Sequence, residues 1–92
     1  MAHVTLRGPL KKLAEDRSDH VIDAGSVGEL LRELERAQPA VGGWILDERG
    51  VIRRHINVFV NGEDARCLEG LDTAVRDGDE LSIIPAMAGG SR

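Results

Sequence analysis

The stretch from Ser26 to Leu34 constrains the fold of this chain more than any other. Ser26 is placed to cap a helix, and Glu29 follows three residues later, the reciprocal arrangement of a capping box. Val27, Leu30, Leu31 and Leu34 then fall at i, i+3, i+4 and i+7, a single apolar stripe, while Arg32, Glu33, Glu35 and Arg36 cover the opposite side. Pro39 disfavours helical geometry at Gln38, so the predicted helix is Val27–Ala37. One stripe cannot be a core by itself. It needs a second apolar layer to lie against.

Strand signals on both sides supply that layer. His3 to Arg7 alternates apolar and polar residues, with Val4 and Leu6 on one face, and Gly8-Pro9 ends the run. Leu10 to Asp19 is charged and is expected to be a loop containing a turn. His20 to Asp23 is a second short strand, pairing with the first as an N-terminal hairpin. After the helix, residues 40–54 hold Gly42-Gly43, the apolar patch Trp44-Ile45-Leu46 and a turn at Asp47-Glu48-Arg49-Gly50. Such a long stretch without a periodic pattern points to a functional or partly mobile loop. Ile56-Asn57-Val58-Phe59-Val60 is rich in β-branched residues and runs into Asn61-Gly62, the pair favoured in a type I′ hairpin because both residues tolerate positive φ. Glu63 to Arg66 is the expected return strand. Asp77-Gly78-Asp79 marks another turn before a last strand, Glu80 to Ile84, stopped by Pro85. Residues 1–86 are therefore expected to form one α+β domain, a mixed sheet with one main helix packed across it: the β-grasp arrangement of ubiquitin-like domains. Residues 87–92, small and glycine-rich, are expected to form a flexible C-terminal tail.

Composition narrows the function. Ninety-two residues make one domain, and a chain of this size buries only about 60–65% of its unfolded surface. Trp44 and Phe59 are its only aromatic residues, so the core must be mostly Val, Ile and Leu; whether these two rings join it or form a contact face is open at this point. A net charge of −4 argues against a nucleic-acid partner, though not against a local basic patch. Cys67 is the single cysteine, which fits a reducing, cytoplasmic setting. No apolar run approaches the length of a membrane helix, and the N-terminus lacks the apolar stretch of a signal peptide. His3, His20 and His55 have no metal-ligand spacing. No nucleophile–base pair, metal cluster or phosphate loop is visible, so neither catalysis nor a bound cofactor is expected of the chain itself. Cys67, with no base placed beside it, reads as an ordinary small residue near a strand end. Arg53-Arg54 reads as a solvated basic pair or a contact for an acidic partner.

The run Asn57-Val58-Phe59-Val60-Asn61-Gly62, then Leu71, Asp77-Gly78-Asp79-Glu80-Leu81 and Ile83-Ile84-Pro85, closing on Gly89-Gly90, resembles the MoaD/ThiS family of sulfur carriers. Arg54 to Asn61 and the ending Pro85-Ala86-Met87-Ala88-Gly89-Gly90 are most similar to the CysO-type carriers of that family. The resemblance covers the chain in outline and residues 55–90 in detail.

The resemblance implies that the carboxylate of Gly90, preceded by Gly89, is adenylated by an ATP-dependent partner enzyme. It is then converted to a thiocarboxylate and donates its sulfur to a biosynthetic acceptor enzyme in cysteine, thiamine, molybdopterin or related metabolism. Phe59, Met87 and Ala88 are the expected docking residues. Glycine without Cβ suits a tail that threads a narrow channel. This sequence departs from the family in one respect: Ser91-Arg92 follow Gly90, and a metalloprotease is expected to remove them. Two other readings stay open, a ubiquitin-like modifier joined to lysines through Gly90 and a non-reactive β-grasp binding module.

Overall fold

The computed structural model of the chain describes residues 1–85. Five strands form one sheet in the order β2-β1-β5-β3-β4: β1 is Ala2–Leu6, β2 Asp19–Ile22, β3 Ile56–Val60, β4 Glu63–Asp64 and β5 Glu80–Pro85. β1 pairs antiparallel with β2 and parallel with β5, and β5 pairs antiparallel with β3. The first and last strands thus lie side by side at the centre, which makes the sheet mixed.

Helix α2, Val27–Ala37, lies across this sheet with the bounds expected from its sequence. Ser26 Oγ accepts the Glu29 amide at 3.2 Å, and Glu29 Oε1 accepts the Gly25 amide at 2.7 Å, so the capping box closes in both directions. Leu30, Leu31 and Leu34 are completely buried, each stabilising the fold by about 1.5–3 kcal/mol relative to exposure. They meet Val4, Leu6, Ile56, Val58, Leu81 and Ile83, the alternate residues on the inner face of the three central strands. Gly28 is needed for a close approach. A Cβ there would lie 3.3 Å from both the Cβ and the carbonyl oxygen of Leu71, in the one-turn 3₁₀ segment Gly70–Asp72.

Three expectations are corrected. The segment after Gly8 is not all loop: Pro9–Leu13 forms a short helix, α1, beside the main helix α2. Pro9 at its start has the φ a helix needs and no N–H to satisfy there. Leu10 and Ala14 are buried, and Leu13 packs against the same core. The return strand after Asn61-Gly62 is only two residues, because the Asp64 carboxylate accepts the Arg66 amide at 2.8 Å and turns the chain into a 3₁₀ segment, Ala65–Cys67. Cys67 therefore sits exposed in that turn, just past the end of β4. Residues 40–54 form an anchored loop. A 3₁₀ turn, Pro39–Val41, opens it, Leu46 bridges to Ile52, and Val41, Ile45 and Leu46 are buried. The Asn61-Gly62 turn forms as expected, with φ of 51° and 88°. Among the described residues no helix is long and apolar enough to cross a membrane.

Candidate functional site

Three strands decide where the end of the chain leaves the domain. β5 is held on one side by β1, with Leu6 opposite Ile83, and the Arg7 amide donates to the Ile83 carbonyl at 3.3 Å. On the other side Ile56 pairs with Pro85. Pro85, the last described residue, lies between Gly8 and the residues preceding Ile56. A Cβ on Gly8 would lie 3.8 Å from Pro85 Cγ, so the β1–α1 turn is packed against this exit. Met87, Ala88, Gly89 and Gly90, which carry the expected chemistry and part of the expected docking, lie outside the described residues.

The start of β5 is secured separately. The Asp79 carboxylate accepts the Arg76 amide at 2.8 Å and the Asn61 side-chain amide at 3.0 Å, while Asn61 Oδ1 accepts the Glu80 amide at 3.0 Å. The two bonds to Asp79, the Arg76 amide first and then the Asn61 side chain, hold its carboxyl below its ordinary pKa, because they favour the charged form. The Asn61-Gly62 pair thereby does two jobs, turning the β3–β4 hairpin and tying that hairpin to β5.

Phe59 is placed by strand alternation. Ile56, Val58 and Val60 point into the core, so Asn57 and Phe59 point to the outer face, away from α2. Phe59 is opposite Ser82, and Asn57 is opposite Ile84. Phe59 and Ile84 are half-buried and lie diagonally on adjacent strands. Further across the same face Val21 of β2 is exposed, opposite His3. The outer face therefore offers apolar side chains among polar ones, with Phe59 on β3, toward the β4 edge. The sequence reading named Phe59 but missed Ile84 and Val21. The signal was available: once Ile83 is assigned inward, Ile84 must face outward.

The loop from Gly42 to His55 flanks the exit. Its turn is built on Asp47, whose Oδ1 accepts the amides of Val51 at 3.0 Å and Arg49 at 2.9 Å, and these bonds hold its carboxyl below the ordinary value. Arg53 Nε donates to the Gly43 carbonyl at 2.6 Å, and its own amide donates to the Ile45 carbonyl at 2.9 Å. Arg66 crosses the sheet edge to donate to the Arg53 carbonyl and to Asn57 Oδ1. Trp44 is outside the core, at 49% exposure. The three histidines lie apart: His3 faces Asp19, buried His20 contacts the Arg17 carbonyl, and His55 borders the exit. Among the described residues no three His, Cys, Asp or Glu side chains are grouped to hold a metal.

The sequence profile of the ThiS family matches residues 4–90. Small archaeal modifier protein 3 of Haloferax volcanii is 39% identical over 70 residues, spanning 76% of this chain and 75% of that protein. Sulfur carrier protein CysO of Mycobacterium tuberculosis is 37% identical over 67 residues, 71% of this chain and 72% of the relative. In three dimensions the chain superposes on a chain of the Amycolatopsis orientalis BexX/CysO complex with a TM-score of 0.88. There the identity is 31%, over 98% of this chain and 100% of the other.

Proposed function

Since this chain belongs to the ThiS family, we propose that it carries sulfur as a thiocarboxylate on Gly90. The observation that carries the reading is the extent of the family match. It runs to residue 90, through Gly89-Gly90, and so takes in the segment that follows β5 at the sheet's centre. The domain is then a handle of residues 1–86, and the tail, residues 87–92, holds the chemistry.

The chemistry needs two activations that the carrier does not perform. A carboxylate is a poor electrophile, so the Gly90 carboxylate first attacks the α-phosphorus of ATP in a partner enzyme. Pyrophosphate leaves, and an acyl adenylate forms. A sulfide-level sulfur then attacks the acyl carbon, the acyl–oxygen bond breaks, and AMP leaves with a thiocarboxylate remaining on the carrier. Its anionic, polarisable sulfur is the nucleophile that a biosynthetic acceptor enzyme takes up. The outer face around Phe59 is the docking surface for these partners, with Met87 and Ala88 leading the tail into the channel.

In this sequence Gly90 is joined to Ser91, so its carboxyl is an amide and cannot be adenylated. Cleavage of the Gly90–Ser91 bond by a metalloprotease makes the carrier competent. Full-length protein and protein ending at Gly90, offered to the adenylating enzyme with ATP, should differ completely in pyrophosphate release. Equal release from full-length protein whose mass still includes Ser91 refutes Gly90 as the reactive terminus.

The likeness to a small archaeal modifier protein favours a second reading, in which the same adenylate is transferred to lysine amines of other proteins. Covalent adducts of higher mass, formed from the processed protein in extract with ATP, would distinguish it.

A further inference from the structure

The chain is acidic overall, with a net charge of −4, yet its two ends differ. At the end where β5 begins lie Asp23, Glu63, Asp77, Asp79 and Glu80, with Arg76 as the side-chain cation among them and the terminal amine paired to Asp77. At the opposite end, where β5 stops at Pro85, the register sets Arg7 on one side of the exit and Arg54 and His55 on the other. Lys11 and Lys12 follow on α1, which packs against β5. Arg7, Lys11, Lys12 and Arg54 are exposed, and among the described residues none of the four is in an ion pair. Glu15 and Asp16, in the turn after α1, and Asp47 and Glu48, in the loop beside Arg54, offset part of this charge, Asp47 being paired with Arg49.

An apolar element adjoins the cations. Trp44, Gly43, Arg53 and His55 line one shallow depression, and Val51, 46% exposed, lines the next together with Ile52, Arg53, Arg54, His55 and the Asp47–Arg49 pair. Exposed Trp beside Arg is the composition of energetically dominant interface patches. The hydrogen bonds of Arg53 to Gly43 and of Asp47 to Val51 hold this loop in shape before any partner arrives, so little ordering is needed on contact.

We infer that Arg7, Lys11, Lys12 and Arg54, beside Trp44, form a cationic collar around Pro85, the last described residue, and that this collar docks on an acidic protein rim around the channel that receives the reactive end of the chain. The inference rests on the carrier reading. A surface that surrounds Pro85, from which the reactive segment continues in sequence, must lie near whatever accepts that segment, and a positive surface with an exposed indole fits a carboxylate-bearing rim. Charges at such a rim steer encounter and set register, acting on association more than on the chemical step. The collar adjoins the outer face around Phe59, because Arg7 follows inward-facing Leu6 and so lies beside Ile84, and it extends that contact around the end of β5.

The test uses protein ending at Gly90, its adenylating enzyme and ATP, with KM and kcat for the carrier read from pyrophosphate release. In the triple variant Arg7→Glu, Lys11→Glu, Arg54→Glu, KM should rise about tenfold or more at low salt with kcat unchanged. The difference should shrink as salt is raised. Arg76→Glu, the same charge change at the far end, should leave KM unaltered. The conservative pair Arg7→Lys, Arg54→Lys should keep the original KM, since it keeps the charge. If the triple variant melts differently from the parent, Arg54→Glu alone, at an exposed side chain, should still raise KM at low salt. An unchanged KM in the charge-reversed proteins overturns the collar. So does tight binding of a single-stranded RNA oligonucleotide that these substitutions abolish while KM stays constant. If the unsubstituted protein itself releases no pyrophosphate, the failure lies with the carrier reading, on which the collar depends.

Discussion

Trp44 and Ile45 are neighbours in one loop, and replacing each by alanine should have opposite consequences from those their sizes imply. Ile45 is completely buried, and its carbonyl receives the Arg53 amide that closes the loop. Ile45→Ala removes buried methylenes and leaves a cavity, which costs about 2–5 kcal/mol. A chain of this length has a total stability of about 5–14 kcal/mol, so the variant should remain folded but measurably weakened. For a domain of this size each kcal/mol lowers Tm by about 4–8 °C, so a loss of about 3 kcal/mol lowers it by about 12–24 °C. Trp44 is the larger side chain but half of it is already in water, and Trp44→Ala should cost about 1 kcal/mol or less. Urea unfolding followed by circular dichroism measures both, with the midpoint shifting and the slope unchanged. If Ile45→Ala costs under about 1 kcal/mol, or Trp44→Ala costs more than Ile45→Ala, then the loop is not anchored through Ile45 and the reasoning fails.

Other outcomes follow from the same contacts. Ser26→Ala removes the acceptor for the Glu29 amide and should lower stability by about 1 kcal/mol in the same urea assay. Asp47 and Asp79 both have carboxyl pKa values held below the ordinary 3.8, so the stability they contribute is present above that value and is lost as pH falls through their lower folded-state values. An acid titration of Tm should therefore show a steeper fall below about pH 4 for the parent than for Asp79→Asn. Cys67→Ser should load sulfur as the parent does, by mass spectrometry, because the thiol sits alone in an exposed turn remote in sequence from the tail. Phe59→Ala should raise KM for the adenylating enzyme while leaving Tm within a few °C, since the ring lies on the outer face.

Helix α2 was legible residue for residue because its determinants are local: a capping box at one end, a proline at the other and a stripe between them. β3 and β5 were equally plain from their alternation and the turns beside them. Helix α1 escaped notice because five residues are too few to establish a period, although Pro9 with Leu10 and Leu13 was a usable sign. The burial of Ile45 and Leu46 beside an exposed Trp44 is a tertiary outcome, decided by what α2 and the sheet leave uncovered, and no local pattern separates the three. The parallel pairing of β1 with β5 is also non-local. It matters most for the site, because it puts the turn after β1 beside the end of β5 and brings Arg7 and Lys11 there. The proposed role of Gly89-Gly90 rests on family resemblance alone, since nothing in their own composition distinguishes them from an ordinary glycine-rich terminus.

The most direct test of the central claim is the mass of the carrier after activation. Protein ending at Gly90, incubated with its adenylating enzyme, ATP and a sulfide source, should exchange one oxygen for one sulfur, and fragmentation should locate the change at Gly90. Gly90→Ala should load poorly with an unaltered circular dichroism spectrum, because the defect is steric in the channel. A mass that does not change, or a sulfur found at Cys67 in place of Gly90, would contradict the account.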